Sequence, residues 1–243
     1  MMATVADHYR THLAPVYVWM AGGIDVAVSR GENELQTILP EQTGGIDAVD
    51  LGAGFGMHSI PLARRGCPVI AVDTSTVLLD ELKANADALP IKVVVDDLPS
   101  FRRYMDSKVH LILCMGDTLT HLPDLQSVER LLSHVAESLL SGGIFIATFR
   151  NYSSPLSGIE RFIPVKSDAD RILTCFLEYE PDYVNVHDLL HERIISTWQL
   201  RVSAYRKLRL SPERVTEGLQ ARGFSVLVEP GPGGMVRIVA TRL

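Results

Sequence analysis

Between Ile46 and Phe149 the chain alternates short apolar runs with longer segments of helical spacing. The runs are Ile46 to Leu51, "PVIAVD", "IKVVV", "VHLILCM" and "IFIATF". None shows the apolar–polar alternation of a strand with one wet face. Such runs are strands buried on both sides. Between them, Ile60 to about Gly66 and "STVLLDELKANA" read as helices, the second with Ser75 as N-cap. Leu125, Val128, Leu131, Leu132, Val135 and Leu139 mark a third helix, expected to end at Gly142 and Gly143. This order constrains the chain to an α/β, doubly wound parallel sheet with helices on both faces.

The flanks differ. To about Pro40 the chain reads as a helical N-terminal segment, with Pro15 dividing "HYRTHLAPVYVWM". From Ser153 to Arg209, "RILTCFLEYE", "LLHERIISTWQLRV" and "AYRKLRL" show period-two character and predict inserted antiparallel strands. The core resumes at "SPERVTEGLQARGF", with Ser211 as N-cap, Pro212 at the first helical position and Gly223 at the end. "SVLVE" and "VRIVATRL" close the chain as a strand pair. The expected organisation is an N-terminal helical lid at 1–40, a core at 41–152 and 210–243, and an inserted antiparallel segment at 153–209.

With 243 residues, 47% hydrophobic and 21% charged, the chain has the composition of an ordinary globular protein. A net charge of -6 gives no basic footprint for nucleic acid. Cys67, Cys114 and Cys175 lie far apart and are expected to be reduced thiols of a cytoplasmic protein. No run is long enough to span a membrane, and "MMATVADHYR" lacks the apolar core of a signal peptide. His187 and His191 have the spacing of a metal pair on a helix, but strand-like surroundings and the lack of a third ligand argue for no metal.

"VDLGAGFG" follows the first run. Glycine permits a sharp turn and close approach to the backbone, and a strand-to-helix turn offers unpaired amides. Gly52, Gly54 and Gly56 therefore predict a floor for the polar part of a ligand. Asp73, closing the second strand, can accept hydrogen bonds from both hydroxyls of a ribose. Together they predict a nucleoside-containing cofactor at the C-terminal edge of the sheet. A dinucleotide fingerprint would place its third glycine at 57, where Met57 stands.

"VDLGAGFG" with "VIAVD" resembles the class I S-adenosylmethionine-dependent methyltransferases. The resemblance implies a Rossmann-like seven-stranded sheet whose last strand is antiparallel, and S-adenosyl-L-methionine as cofactor, leaving S-adenosyl-L-homocysteine. It assigns Asp50, Gly52, Gly54, Gly56 and Asp73 to the cofactor, with Asp96 or Asp97 near the adenine and Met115 packing against it. "CMGDTLTHLPD" and "FRNY", after the fourth and fifth strands, are similar to segments of glycine N-methyltransferases and their small-amine relatives. That similarity implies methylation of a small molecule, amine nitrogen favoured. Arg150 takes the position that pairs with a substrate carboxylate, followed by Asn151 and Tyr152. Asp117 stands where the family commonly has asparagine.

The candidate catalytic residues are thus His121, Arg150 and Tyr152. Tyr9, Tyr17, Trp19, Asp117, Arg150 and Asn151 are candidates for acceptor binding, with the inserted strands covering the acceptor. A neutral amine is already a nucleophile, so alignment supplies much of the acceleration. An alcohol or phenol calls for a base, with His121 the nearest candidate. Small-molecule O-methylation with His121 as base is therefore the first alternative. An NAD-linked oxidoreductase or a non-catalytic nucleotide binder are alternatives of other classes. An exposed edge of the insertion could pair with a second copy, giving a homodimer.

Overall fold

The computed structural model describes residues 4–39 and 45–243. The boundary expected at 40–41 lies outside the described residues. Strands β1 (Ala48–Leu51), β2 (Val69–Asp73), β3 (Ile91–Val95), β4 (Val109–Cys114), β5 (Leu139–Phe149), β10 (Phe224–Pro230) and β11 (Val236–Arg242) form one sheet in the order β10-β11-β5-β4-β1-β2-β3. β1 to β5 run parallel, while β11 is antiparallel to both β5 and β10. β1 is buried at every position. Helices α3 (Ile24–Gln36), α4 (Ser59–Arg64) and α5 (Thr76–Ala86) pack Leu35, Leu62 and Leu79 on one face of the sheet. Helices α6 (Leu125–Ser138) and α7 (Pro212–Gln220) pack Leu131, Leu132 and Leu219 on the other, around Phe145 and Phe149. Each such phenylalanine contributes about 1.5–3 kcal/mol by leaving water.

Side-chain caps start the helices where the sequence placed them. Ser75 accepts from the Leu78 N–H, Asp124 from Ser127 and Ser211 from Arg214. One boundary is corrected. Helix α6 stops at Ser138, and Gly142 and Gly143 lie inside β5. β5 pairs at Leu139 with Val109, then slips before resuming at Ile144 with Leu111. Gly142, at φ +76°, supplies the left-handed residue that this irregularity needs.

Residues 5–21 form one helical rod, which Gly22 and Gly23 separate from α3. α1 (Val5–His8) passes through a π turn at Tyr9–Leu13 into α2 (Ala14–Ala21). Pro15 has no N–H for the carbonyl of Thr11, so the ladder widens instead of breaking. β6 (Phe162–Ser167), β7 (Arg171–Tyr179), β8 (Tyr183–Ile194) and β9 (Thr197–Leu208) form a separate antiparallel sheet between β5 and α7. Its inner face carries Leu173 and Leu190, which pack against Leu13 and Val16 of the rod. Among the described residues, no helix is long and apolar enough to cross a membrane.

Candidate active site

In the main sheet the strand order reverses between β1 and β4, so the turns leaving these strands diverge and open a crevice. A cavity of about 450 Å³ lies there. Gly52, Gly54, Asp73, Asp97, Leu98, Met115 and Gly116 line one end. Val5, Tyr9, Tyr17, Phe55 and His121 line the other.

The three glycines do different work. A Cβ on Gly54 would meet only Leu78, at 3.8 Å, so this position leaves bare backbone facing the cavity. A Cβ on Gly52 would lie 2.4 Å from Thr118, and one on Gly56 2.3 Å from Leu82. Gly52 thus lets the two turns approach each other, and Gly56 lets α5 close against the turn. Gly56 does not line the cavity, a departure from its expected cofactor role. Gly116, at φ +72° with no atom near its missing Cβ, adds a second bare stretch.

Asp73 accepts from the Gly54 N–H at 2.9 Å and the Ser75 N–H at 2.8 Å, one on each oxygen. Burial pushes the Asp73 carboxyl above its ordinary carboxylate range, against the pull of these two donors. Each oxygen retains capacity for a ribose hydroxyl. Asp97 lines the cavity. Asp96 does not; it accepts from the Tyr104 hydroxyl at 2.6 Å and from the Asp97 N–H. Asp50 is buried behind the turn, accepting from Ser59 Oγ at 2.6 Å, and is a support for the turn. Met115, Leu98, Pro99 and Leu122 offer an apolar slot for a flat base. Bare backbone, a two-oxygen carboxylate and an apolar slot fit the sugar, base and charged tail of S-adenosylmethionine.

At the other end, Tyr9 and Tyr17 pack with ring centroids 5.9 Å apart, and Tyr17 meets Phe55 at 5.9 Å. His121 stands on the turn after β4, its Nε2 3.4 Å from the Tyr9 hydroxyl. Its Nδ1 is buried without a partner. Burial, and then the nearby Lys207 ammonium, push the His121 imidazole down to about 3.

Several expected acceptor residues lie elsewhere. Arg150 is exposed and donates to the Gly233 carbonyl at 3.2 Å. The cause is Asp117, whose Oδ1 takes the Arg150 backbone N–H at 2.9 Å, fixing the chain so that the side chain leaves toward the β10–β11 turn. Asn151 is exposed and accepts from Ser153 N at 3.0 Å. Tyr152 is buried, its hydroxyl donating to Asp117 Oδ2 at 3.1 Å. Trp19 donates to Asp168 and lies under the Arg171 guanidinium, away from the cavity. Asp117 itself forms a buried ion pair with Lys207 of β9. Burial works to raise Asp117, but the Lys207 charge and hydrogen bonds outweigh it and hold the carboxyl below its ordinary range.

No residue of the inserted sheet lines the cavity, so the cover over the acceptor end is the N-terminal rod. The insertion stands behind it. Tyr205 of β9 stacks on His8 at 4.1 Å and on His121 at 5.6 Å, and Asp188 of β8 accepts from or pairs with His8 Nε2 at 2.9 Å. The sequence reading did not single out Tyr205, Lys207 or His8. The available signal was the strand alternation of "AYRKL", which puts Tyr205 and Lys207 on one face.

Residues 48–143 match the methyltransferase domain family. Over these residues the chain carries a methyltransferase domain. A glycine/sarcosine N-methyltransferase of Aphanothece halophytica is 29% identical over 157 residues, covering 60% of this chain and 57% of its own. The chloroplastic magnesium protoporphyrin IX methyltransferase of Arabidopsis thaliana is 30% identical, over 62% of this chain and 48% of its own. The chain thus spans about half the length of the curated relatives it matches. The S-adenosylmethionine-bound structure of CalS10, an amino pentose methyltransferase from Micromonospora echinaspora, superposes with a TM-score of 0.74 at 14% identity, over 94% of this chain and 96% of that one. The likeness of fold therefore extends over the insertion and the N-terminal rod.

Proposed function

We propose that this methyltransferase transfers a methyl group to an amine nitrogen of a small molecule held between the glycine turn and the N-terminal rod. The observation that carries the reading is the state of His121. An imidazole at about 3 is neutral at physiological pH but is a poor proton acceptor there. An alcohol or phenol acceptor would need a better base. A neutral amine brings its own lone pair. The bound cofactor supplies an electrophilic methyl group. The chain's own residues then have two tasks, to orient the amine and to exclude water. Tyr9, Tyr17, Phe55 and His121 would form the walls that do this. The Tyr9 hydroxyl would accept a hydrogen bond from the amine N–H. The N-methylating relative from Aphanothece halophytica supports the same acceptor atom.

The test is kinetic. A panel of small primary and secondary amines, with matched phenols and alcohols, is screened for S-adenosylhomocysteine release. His121→Gln is then followed from pH 6 to 9 with the best acceptor. The reading expects a loss of less than about tenfold, and an acid limb that belongs to the acceptor's own ammonium and survives the substitution. A loss of about a thousandfold or more, the scale of removing a general base, would favour O-methylation.

A further inference from the structure

The two edges of the inserted sheet are built differently. β6 is blunted as exposed edges usually are, with Pro164, Lys166 and a register slip between them. β9 has none of these devices from Thr197 to Ser203. It pairs with β8 without a slip, and among the described residues its other side meets no strand. Trp198, Leu200 and Val202, on the outer face, are 45%, 52% and 56% exposed. Arg193 lies over the Trp198 ring at 5.9 Å. Ile172 of β7 continues the apolar surface inward through its register with His191 and Leu200.

We propose that β9 pairs antiparallel with β9 of a second copy about a two-fold axis at Leu200. The occupant is a second copy because the edge is complementary to itself. An antiparallel two-fold pairing places residues opposite one another in fixed pairs and must keep each side chain on its own face. Centred on Leu200, it puts Leu200 opposite Leu200, Trp198 opposite Val202 and Gln199 opposite Arg201. The outer face becomes a continuous apolar row across both copies. On the inner face no like charges meet, since Arg201 opposes a neutral glutamine and is already paired with Glu192 at 2.7 Å. Two four-stranded sheets become one eight-stranded sheet, and both bare edges are satisfied.

Sedimentation velocity of the wild-type chain at tens of micromolar is expected to give twice the chain mass of 26.8 kDa. Leu200→Asp places two carboxylates face to face and should give a monomer with unchanged far-ultraviolet dichroism, because the side chain is exposed. A second variant keeps the test independent of charge. Opposed residues in antiparallel pairs have Cα atoms about 4.5 or 5.5 Å apart, within disulfide reach. Leu200→Cys should therefore cross-link to itself on mild oxidation, and Trp198→Cys, which faces Val202, should not. A monomeric wild type overturns the proposal. So does a dimer that Leu200→Asp leaves intact, or cross-linking at 198 as efficient as at 200.

Discussion

Asp73 is the side chain on which cofactor affinity turns. Both of its oxygens are fixed by backbone donors, so a ribose meets an acceptor that is already oriented. Hydrogen bonds to a charged group are worth roughly 1.5–3 kcal/mol each. Asp73→Ala should therefore weaken S-adenosylhomocysteine by about tenfold to several hundredfold, read by calorimetric titration, with the fold retained. Unchanged affinity would remove Asp73 from the cofactor site. This residue was legible from sequence because its role follows from where its Cα must lie, at the end of a strand beside the glycine turn. Arg150 was not legible for the same reason in reverse. Its Cα lies at a strand end facing the crevice, but its side-chain direction is set by the hydrogen bond from its N–H to Asp117, a residue distant in the chain. Asp96 and Asp97 are neighbours that pattern cannot separate, and the Tyr104 hydroxyl is what takes Asp96 away.

Among the elements, the glycine turn and the helix beyond it form one unit whose tightness depends on Gly56. Its φ of +92° and the Leu82 methyl 2.3 Å from a built Cβ oppose any side chain. Gly56→Ala should destabilise the chain by about 1–3 kcal/mol, measured by urea unfolding, with cofactor affinity of the folded fraction nearly unchanged. Gly54→Ala should do the opposite, costing affinity more than stability. An equal effect of both substitutions on affinity would refute this division. The sequence marks all three glycines alike because a motif records that a side chain is excluded, not what excludes it. The core strands and their helices were readable for a simpler reason, since burial on both faces leaves a period that local residues carry. The slip in β5 and the π turn before Pro15 were not, because each answers to a partner: β4 in one case and the packed rod in the other.

Across the whole molecule, the Lys207–Asp117 pair ties the inserted sheet to the turn that carries His121. Lys207→Met strands a buried carboxylate, which costs about 3–5 kcal/mol where nothing else holds it. Here Tyr152, Thr120 and the Arg150 N–H still donate to Asp117, so the loss should fall at or below the low end. Adding Asp117→Asn should recover much of it, since asparagine tolerates the left-handed backbone at this position, φ +72°. Urea unfolding of the three variants checks this, and a double variant no more stable than Lys207→Met would count against the pair as the tie. The insertion also sets a schedule for the chain. β5 ends at Phe149, yet the strand that completes its far side, β11, begins only at Val236. During synthesis the ribosome must deliver the whole four-stranded sheet and α7 before that edge can close. The nascent chain therefore spends several seconds, at about 5–20 residues per second, with a long apolar strand open on one side. That interval is when a chaperone, or another nascent chain, would find it.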